Sequence, residues 1–398
     1  MIILKYVKYA VLVLSYVGIG LGYLPGLRMN RATIALVGAT FLIILGVVNL
    51  KQAWLAIDYK TIIFLLSMMV INANLACSGF FQLALDYLMR LTRSPFGLLL
   101  ALTFGSGLLS ALFLNDTIAI VLTPLTLGLT EALNLKPIPY LLAVAGATNL
   151  GSVATITGNP QNILIGSFSG ISYLTFAKSL TPLALVSLVV QVGWLWFLYP
   201  DVRSTTPCQS GEPARYRVLK PLLTKSLLVS AGLLVAFLIG IDPALATLVA
   251  ASLLLVTRSI KPNRILEQVD WNLLLMFSGL FILTQDTQKL GFLGLFTGLV
   301  HTHFGLLAGS VVLSNLISNV PAVLLLQPLI PHGDTQAWLL LAAASTLAGN
   351  LTLLGSVANL IVAEAVAKGG HRLTFWEHLR FGLPLTLLTL VIAYFWIH

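Results

Sequence analysis

Apolar runs almost free of charge recur along the whole chain, and no other feature restricts its fold as strongly. Ile62–Val70, Leu98–Leu102 and Leu383–Ile397 hold no Asp, Glu, Lys or Arg. A bilayer core of about 30 Å takes about 20 apolar helical residues to cross, and many such windows fit here. Backbone groups cannot stay unpaired in lipid, so the windows must be helices or strands of a closed barrel. Unbroken apolar runs without alternation exclude the barrel. The remaining composition agrees: 9% of the 398 residues are charged and mean hydropathy is +0.96. A soluble surface needs roughly a quarter of its residues charged. The fold class is therefore an all-α polytopic membrane protein. Lys5 and Lys8 before Tyr9–Gly22 imitate a signal peptide, but no small-x-small cleavage pattern follows, so a retained first helix is expected.

The chain repeats itself. Asp58-Tyr-Lys-Thr-Ile-Ile-Phe-Leu-Leu-Ser aligns with Asp270-Trp-Asn-Leu-Leu-Leu-Met-Phe-Ser, and at the same offset Gly79-Phe80 meets Gly291-Phe292. Asn115 precedes Pro124-Leu125 as Asn319 precedes Pro328-Leu329. Thr155-Ile-Thr-Gly158 with Asn162 matches Thr352-Leu-Leu-Gly355 with Asn359, and Leu174-Thr-Phe176 echoes Leu373-Thr-Phe375. Shared apolarity explains matched Leu and Ile, but not Asn, Gly and Thr in one order. The division is 1–200 for a first repeat, 201–220 for a polar cytoplasmic linker, and 221–398 for a second repeat.

Each half reads as three helices, a re-entrant hairpin, an interrupted helix and a last helix. In the first half these cover about 7–27, 31–50, 59–78, 96–133, 138–168 and 178–200. In the second they cover about 219–240, 242–260, 270–288, 303–331, 337–367 and 377–397. With each hairpin returning to its own side, about ten helices cross and the two repeats are inverted. One face then holds 16 Lys and Arg, among them Arg28, Arg31, Lys136, Arg203, Lys261 and Arg380. The other holds six: Lys5, Lys8, Lys51, Lys60, Lys178 and Lys289. The basic face is cytoplasmic, which leaves both termini outside a multi-pass protein of the cell membrane.

Inverted-repeat carriers bind their cargo where hairpin tips and helix breaks expose backbone groups near the midplane. Four segments have that composition: the first tip at Asn115, Asp116 and Thr117; the first break at Thr155, Thr157, Gly158, Asn159 and Asn162; the second tip at Ser318 and Asn319; the second break at Thr352, Gly355, Ser356 and Asn359. Pro160 removes a donor and crowds the preceding turn, so a helix must break there. Asn, Ser and Thr also serve close helix packing, but recurrence of all four segments in both halves favours a site. Asp116 is an ionisable group inside the membrane, fit to carry a proton, ligate a cation or cap a helix. Asp286 aligns with Asn74 and is either a second titrating group or a residue near the outer boundary. With no Lys or Arg expected in the core, helix N-termini would neutralise an anion. His301 and His303 lack a carboxylate at ligand spacing, so no metal is expected.

These segments resemble the ion transporter superfamily of arsenite permeases, sodium/proton antiporters and citrate or dicarboxylate carriers. The likeness runs from about residue 10 to 398 and is most specific in Phe113-Leu-Asn-Asp-Thr, Ala154-Thr-Ile-Thr-Gly-Asn-Pro-Gln-Asn-Ile163 and Gly349-Asn-Leu-Thr-Leu-Leu-Gly-Ser-Val-Ala-Asn359. The resemblance implies a substrate site between two tips and two breaks, movement of one unit of each repeat against a scaffold, and a homodimer. Sodium-coupled carboxylate carriers share Ser-Asn-Thr at both tips. Here the triplets are Leu114-Asn115-Asp116 and Ser318-Asn319-Val320, closer to the arsenite-permease branch and to proton coupling.

The expected function is secondary transport of a small anion or oxyacid, coupled to protons, with lipid and a small inorganic or organic ion as partners. The coupling ion is H+ or Na+, and no other cofactor is expected. A sodium/proton antiporter is the alternative and a solute channel a remote one. The net charge of +9 is scattered between apolar spans, which excludes a nucleic-acid surface. No His-Glu-x-x-His or Gly-x-Ser-x-Gly occurs, so no enzyme is expected. Two cysteines, Cys77 and Cys208, provide no disulfide framework.

Overall fold

The computed structural model describes residues 2–90, 94–206, 218–256, 259–368, 370 and 372–398. Most of the expected linker, with Cys208, Arg215 and Arg217, lies outside the described residues, as do Arg93 and Arg258. The first half contains α1 (Ile2–Leu21), α2 (Arg31–Ile44), α3 (Leu50–Ala56), α4 (Tyr59–Ser78), α5 (Phe80–Arg90), α6 (Pro95–Leu112), α7 (Asn115–Ala132), α8 (Pro137–Ser152), α9 (Pro160–Ser169) and α10 (Tyr173–Leu198). The second contains α11 (Lys220–Leu238), α12 (Pro243–Leu255), α13 (Pro262–Leu266), α14 (Trp271–Lys289), α15 (Thr297–Val300), α16 (His303–Ile317), α17 (Asn319–Leu326), α18 (Thr335–Leu347), α19 (Val357–Lys368) and α20 (Phe375–Ile397). The same succession of helices occurs twice.

Helix starts repeat with it. Asn30 caps α2 and Asp242 caps α12; Asp58 caps α4 and Asp270 caps α14. Ser94 and Thr302 cap α6 and α16, and Ser172 and Thr374 cap α10 and α20. In each case a side-chain oxygen accepts a backbone N–H three residues on, a contact worth about 1 kcal/mol.

Contacts between the halves are reciprocal. α2 packs on α14 and α4 on α12; α8 packs on α19 and α9 on α18; α7 packs on α19 and α9 on α17. α8 meets α18 and α10 meets α20, each against its own counterpart. The centre is made by α8 and α18, which are buried on every face over Pro139–Ser152 and Ala337–Leu347. A helix apolar all round belongs in such a core. Peripheral helices expose Leu14, Leu253 and Phe395, which face lipid in a membrane protein. Apolar burial gives little driving force in lipid, so packing and internal hydrogen bonds hold the helices together.

Six helices among the described residues are long and apolar enough to cross a membrane: α1, α4, α6, α10, α11 and α20. α2 and α12 stop at 14 and 13 residues, shorter than the spans expected over 31–50 and 242–260. In the first case the chain leaves the helix at Leu45 and passes through Gly46 at φ +71°. α7 follows α6 after Phe113 and Leu114, and the two helices pack together as a hairpin over the expected residues. α16 and α17 form the second hairpin, where Pro328 falls in a short 3-10 turn that ends α17 early. The interrupted helices are α8 with α9 and α18 with α19. Short α3, α5, α13 and α15 had no counterpart in the sequence reading.

Candidate functional site

Both helix breaks are closed by one asparagine each. Asn162 Nδ2 donates to the carbonyls of Ser152 and Thr155, both at 2.9 Å. Asn359 Nδ2 donates to the carbonyls of Gly349 and Thr352, at 2.8 and 3.1 Å. These bonds satisfy carbonyls that a broken helix leaves without their usual partners. Glycine is required in each loop for space: a Cβ on Gly158 would stand 2.3 Å from the Ser152 carbonyl, and one on Gly355 would stand 2.9 Å from Asn315 Oδ1.

The breaks interlock across the two halves. Asn159 caps α9 by accepting from the Asn162 N–H at 2.8 Å, and its Nδ2 donates to Ser152 Oγ and to Thr346 Oγ1 of the other half. At the counterpart position Ser356 Oγ donates to Asn149 Oδ1 at 3.0 Å. Asn149 also accepts from Asn115 Nδ2 at 3.2 Å and donates to Asn350 Oδ1 at 2.8 Å. At the second tip Asn315 Nδ2 donates to the carbonyls of Val311 and Ala348, and its Oδ1 accepts from Thr352 Oγ1 at 3.0 Å.

A cavity of about 420 Å³ joins the four segments. Asn115 and Asp116 enter from the first tip and Ser318, Asn319 and Val320 from the second. Pro160 and Gln161 enter from the start of α9, and Gly355, Ser356 and Val357 from the start of α19. Asn30 and Arg31 at the start of α2, and Asp270 and Asn272 at the start of α14, complete its polar lining. Ser318 sits at φ +79°, ψ 158°, a backbone conformation almost confined to glycine. Asn115 Oδ1 and Asn319 Oδ1 are buried and without a partner among the described residues.

Six residues anticipated from sequence line this cavity: Asn115, Asp116, Ser318, Asn319, Gly355 and Ser356. The others stand behind it. Thr117 contacts Asn72 Nδ2 at 3.4 Å. Thr155 bonds the Ala111 carbonyl, while Thr157 lies between Thr155 and the Tyr173 hydroxyl. Gly158, Asn159, Asn162, Thr352 and Asn359 build the breaks. Asp286 is fully buried in α14 and does not line the cavity.

Arg31 corrects the expectation that no basic residue reaches the core: it lines the cavity and donates from Nε to the Ile19 carbonyl at 3.1 Å. Sequence reasoning also missed Asp270 and the amide Asn149, and did not single out Gln161, Asn315 and Asn350, which lie within the expected tips and breaks. A signal for Asn149 existed, since Thr148, Asn149 and Ser152 sit in an otherwise apolar helix and need partners.

Residues 10–348 match the CitMHS citrate transporter family. The chain belongs to that family. A silicon efflux transporter of rice, LSI3, is 31% identical over 448 residues, covering 93% of this chain and 92% of its own. The inner membrane protein YbiR of Escherichia coli is 31% identical over 85% of this chain and 87% of its own. A putative transporter arsB of Dictyostelium discoideum is 25% identical over 92% and 87%. Among solved structures, the YdaH transporter of Alcanivorax borkumensis matches the whole chain and 97% of its own with a TM-score of 0.59. At 12% identity that likeness concerns the fold. The chain is a membrane transporter of the anion-permease type.

Proposed function

We propose that this protein is a proton-coupled carrier of a small hydroxylated oxyacid, bound in the cavity between the two tips and the two breaks. The charge of the cavity carries the reading. Asp116 and Asp270 face one arginine, Arg31, among hydroxyl and amide side chains. Such a lining suits a compact ligand that brings hydroxyl groups and little negative charge, and it disfavours a tricarboxylate, whose charge would meet two carboxylates. A relative named for silicon efflux supports the same class of cargo.

Asp116 is the coupling group in this scheme. It is half-buried at the first tip, where protonation removes a charge from the cavity wall and deprotonation restores it. The two halves are inverted repeats with re-entrant hairpins and about ten crossings, both termini outside. In that orientation the cavity extends to the cytoplasmic starts of α2 and α14, an inward-facing state. The far side is closed where Ser167 Oγ donates to Asp58 Oδ2 at 2.6 Å. A homodimer and the cell membrane as its location belong to the same proposal.

The second reading is cation/proton exchange, favoured by the same pair of carboxylates. Everted vesicles carrying wild type or Asp116→Asn separate them. A proton gradient is imposed and monitored while sodium, lithium, then silicic acid, arsenous acid and carboxylates are added. An Asp116-dependent response to an oxyacid supports the proposal. Collapse by sodium or lithium in wild type alone replaces it with a cation antiporter.

A further inference from the structure

Three buried amides form a hydrogen-bond chain whose direction the backbone sets. The Gly146 carbonyl in α8 can only accept, and it takes a hydrogen from Asn350 Nδ2 at 3.3 Å. Asn350 therefore turns its Oδ1 to Asn149, which donates from Nδ2 at 2.8 Å. Asn149 Oδ1 is left at the other end, where it accepts from Asn115 Nδ2 at 3.2 Å and Ser356 Oγ at 3.0 Å. Asn115 ends the chain on the cavity wall, with its amide nitrogen engaged by Asn149 and its buried Oδ1 unpaired among the described residues.

An amide has nearly the same shape whichever way it is turned, so its neighbours decide which atom faces a ligand. Here each member holds the next in one sense. Reversing Asn350 would set its Oδ1 against the Gly146 carbonyl, and reversing Asn149 would set nitrogen against nitrogen at Asn115.

We propose that Asn149 and Asn350 are positioning residues that fix Asn115 as a hydrogen-bond acceptor in the cavity, and thereby select the protonated, uncharged form of an oxyacid over its anion. A hydroxyl group of the cargo can donate to Asn115 Oδ1; a deprotonated oxygen cannot. Asn319 on the second tip also lines the cavity, and its Oδ1 is likewise buried and unpaired among the described residues. The relay spans both halves, since Asn115 and Asn149 come from one and Asn350 and Ser356 from the other. Selection therefore depends on how the halves meet. This inference rests on the oxyacid reading above.

The test measures initial uptake into proteoliposomes of arsenous acid, uncharged at neutral pH, and of sulfate, an oxyanion that carries no hydroxyl group at that pH. Wild type, Asn149→Leu and Asn350→Leu are compared over a range of concentrations. Loss of one oriented acceptor is expected to raise KM for arsenous acid about tenfold and to reduce its preference over sulfate to a similar degree, with maximal rate held within about threefold. A lower maximal rate at unchanged KM and unchanged preference would overturn the relay. Melting temperatures of Asn149→Leu, Asn350→Leu and the double variant supply a readout independent of transport. Coupled residues give losses that do not add, and additive losses would overturn the relay as well. Wild type that carries no oxyacid at all would overturn the functional reading instead, while the melting cycle still decides the relay. Should Asn149→Leu fail to fold, Asn350→Leu, which removes the acceptor that holds Asn149 in one sense, reports the same KM shift.

Discussion

Asn162 and Asn359 make the same two hydrogen bonds in opposite halves, each amide nitrogen tying together the carbonyls ten and seven residues upstream. Each side chain thereby converts a broken helix into a closed loop with a fixed end. Asn162→Ala and Asn359→Ala each leave two carbonyls without that donor. An unsatisfied buried group costs about 1–3 kcal/mol, so a loss of that size or somewhat more is expected for either variant. Asn162→Asp should be no better than alanine, because an ionised carboxylate offers no donor. Thermal unfolding of the purified variants in detergent checks this. Equal losses from the two positions would support the equivalence of the halves, and a harmless Asn359→Ala would contradict it.

Asp286 and Asn74 occupy corresponding places on α14 and α4. Asn74 Nδ2 donates to the Val70 carbonyl four residues back at 2.8 Å. Asp286 is fully buried and neither carboxyl oxygen has a partner among the described residues. A buried carboxylate in that setting would cost several kcal/mol, whereas a neutral carboxylic acid could donate to the Ile282 carbonyl as Asn74 does to Val70. Asp286→Asn should then change stability by about 0.5 kcal/mol or less and leave the pH profile of transport unchanged. Loss of proton coupling in Asp286→Asn, with coupling retained in Asp116→Asn, would move the coupling role from the tip to α14.

How much of this could be read from the sequence depended on how local the cause was. Pro160, Gly158 and the paired Asn residues mark the breaks because each acts within a few residues of itself. Charge-free runs mark α4 and α20 because lipid imposes a length on them. α2 is shorter than expected, since Gly46 at positive φ turns the chain while apolar residues continue. The cavity wall was only half legible. Asn115 and Asn319 sit at tips that the repeat exposes, but Arg31 and Asp270 reach the site through the packing of α2 against α14, which no local pattern encodes. Asn149 needed partners from the first tip and the second break before its role could be seen.

Asp58 and Asp270 cap equivalent helices yet meet different surroundings. Asp58 accepts from Ser167 Oγ at 2.6 Å and also from Thr61, tying α4 to the end of α9. Asp270 lines the cavity. If the Asp58–Ser167 contact holds one side shut, Ser167→Ala should ease its opening by about 1.5–3 kcal/mol, the range for a hydrogen bond to a charged group. Hydrogen exchange in α9 and the first turn of α4 should then accelerate about tenfold or more, with α8 unaffected. Unchanged exchange in both segments would remove this contact from the closing device.

Ser318 carries strain where its hydroxyl can also serve the cargo. Its φ of +79° with ψ of 158° lies in a region nearly reserved for glycine, at a cost of about 1–3 kcal/mol. Residues on either side are held, Asn319 beginning α17 and Ala322 N–H donating to the Ser318 carbonyl at 3.1 Å, so the strain cannot relax locally. Ser318→Gly should therefore stabilise the protein by about 1 kcal/mol after the glycine's larger unfolded-state entropy is deducted. Ser318→Ala should leave stability nearly unchanged, because alanine meets the same steric limit. Both variants remove the hydroxyl from the cavity wall, so both should weaken uptake of an oxyacid by a similar factor. Parallel losses of uptake with melting raised only in Ser318→Gly would separate the backbone role of Ser318 from its contact role; weakened uptake in Ser318→Gly alone would trace the transport effect to the backbone.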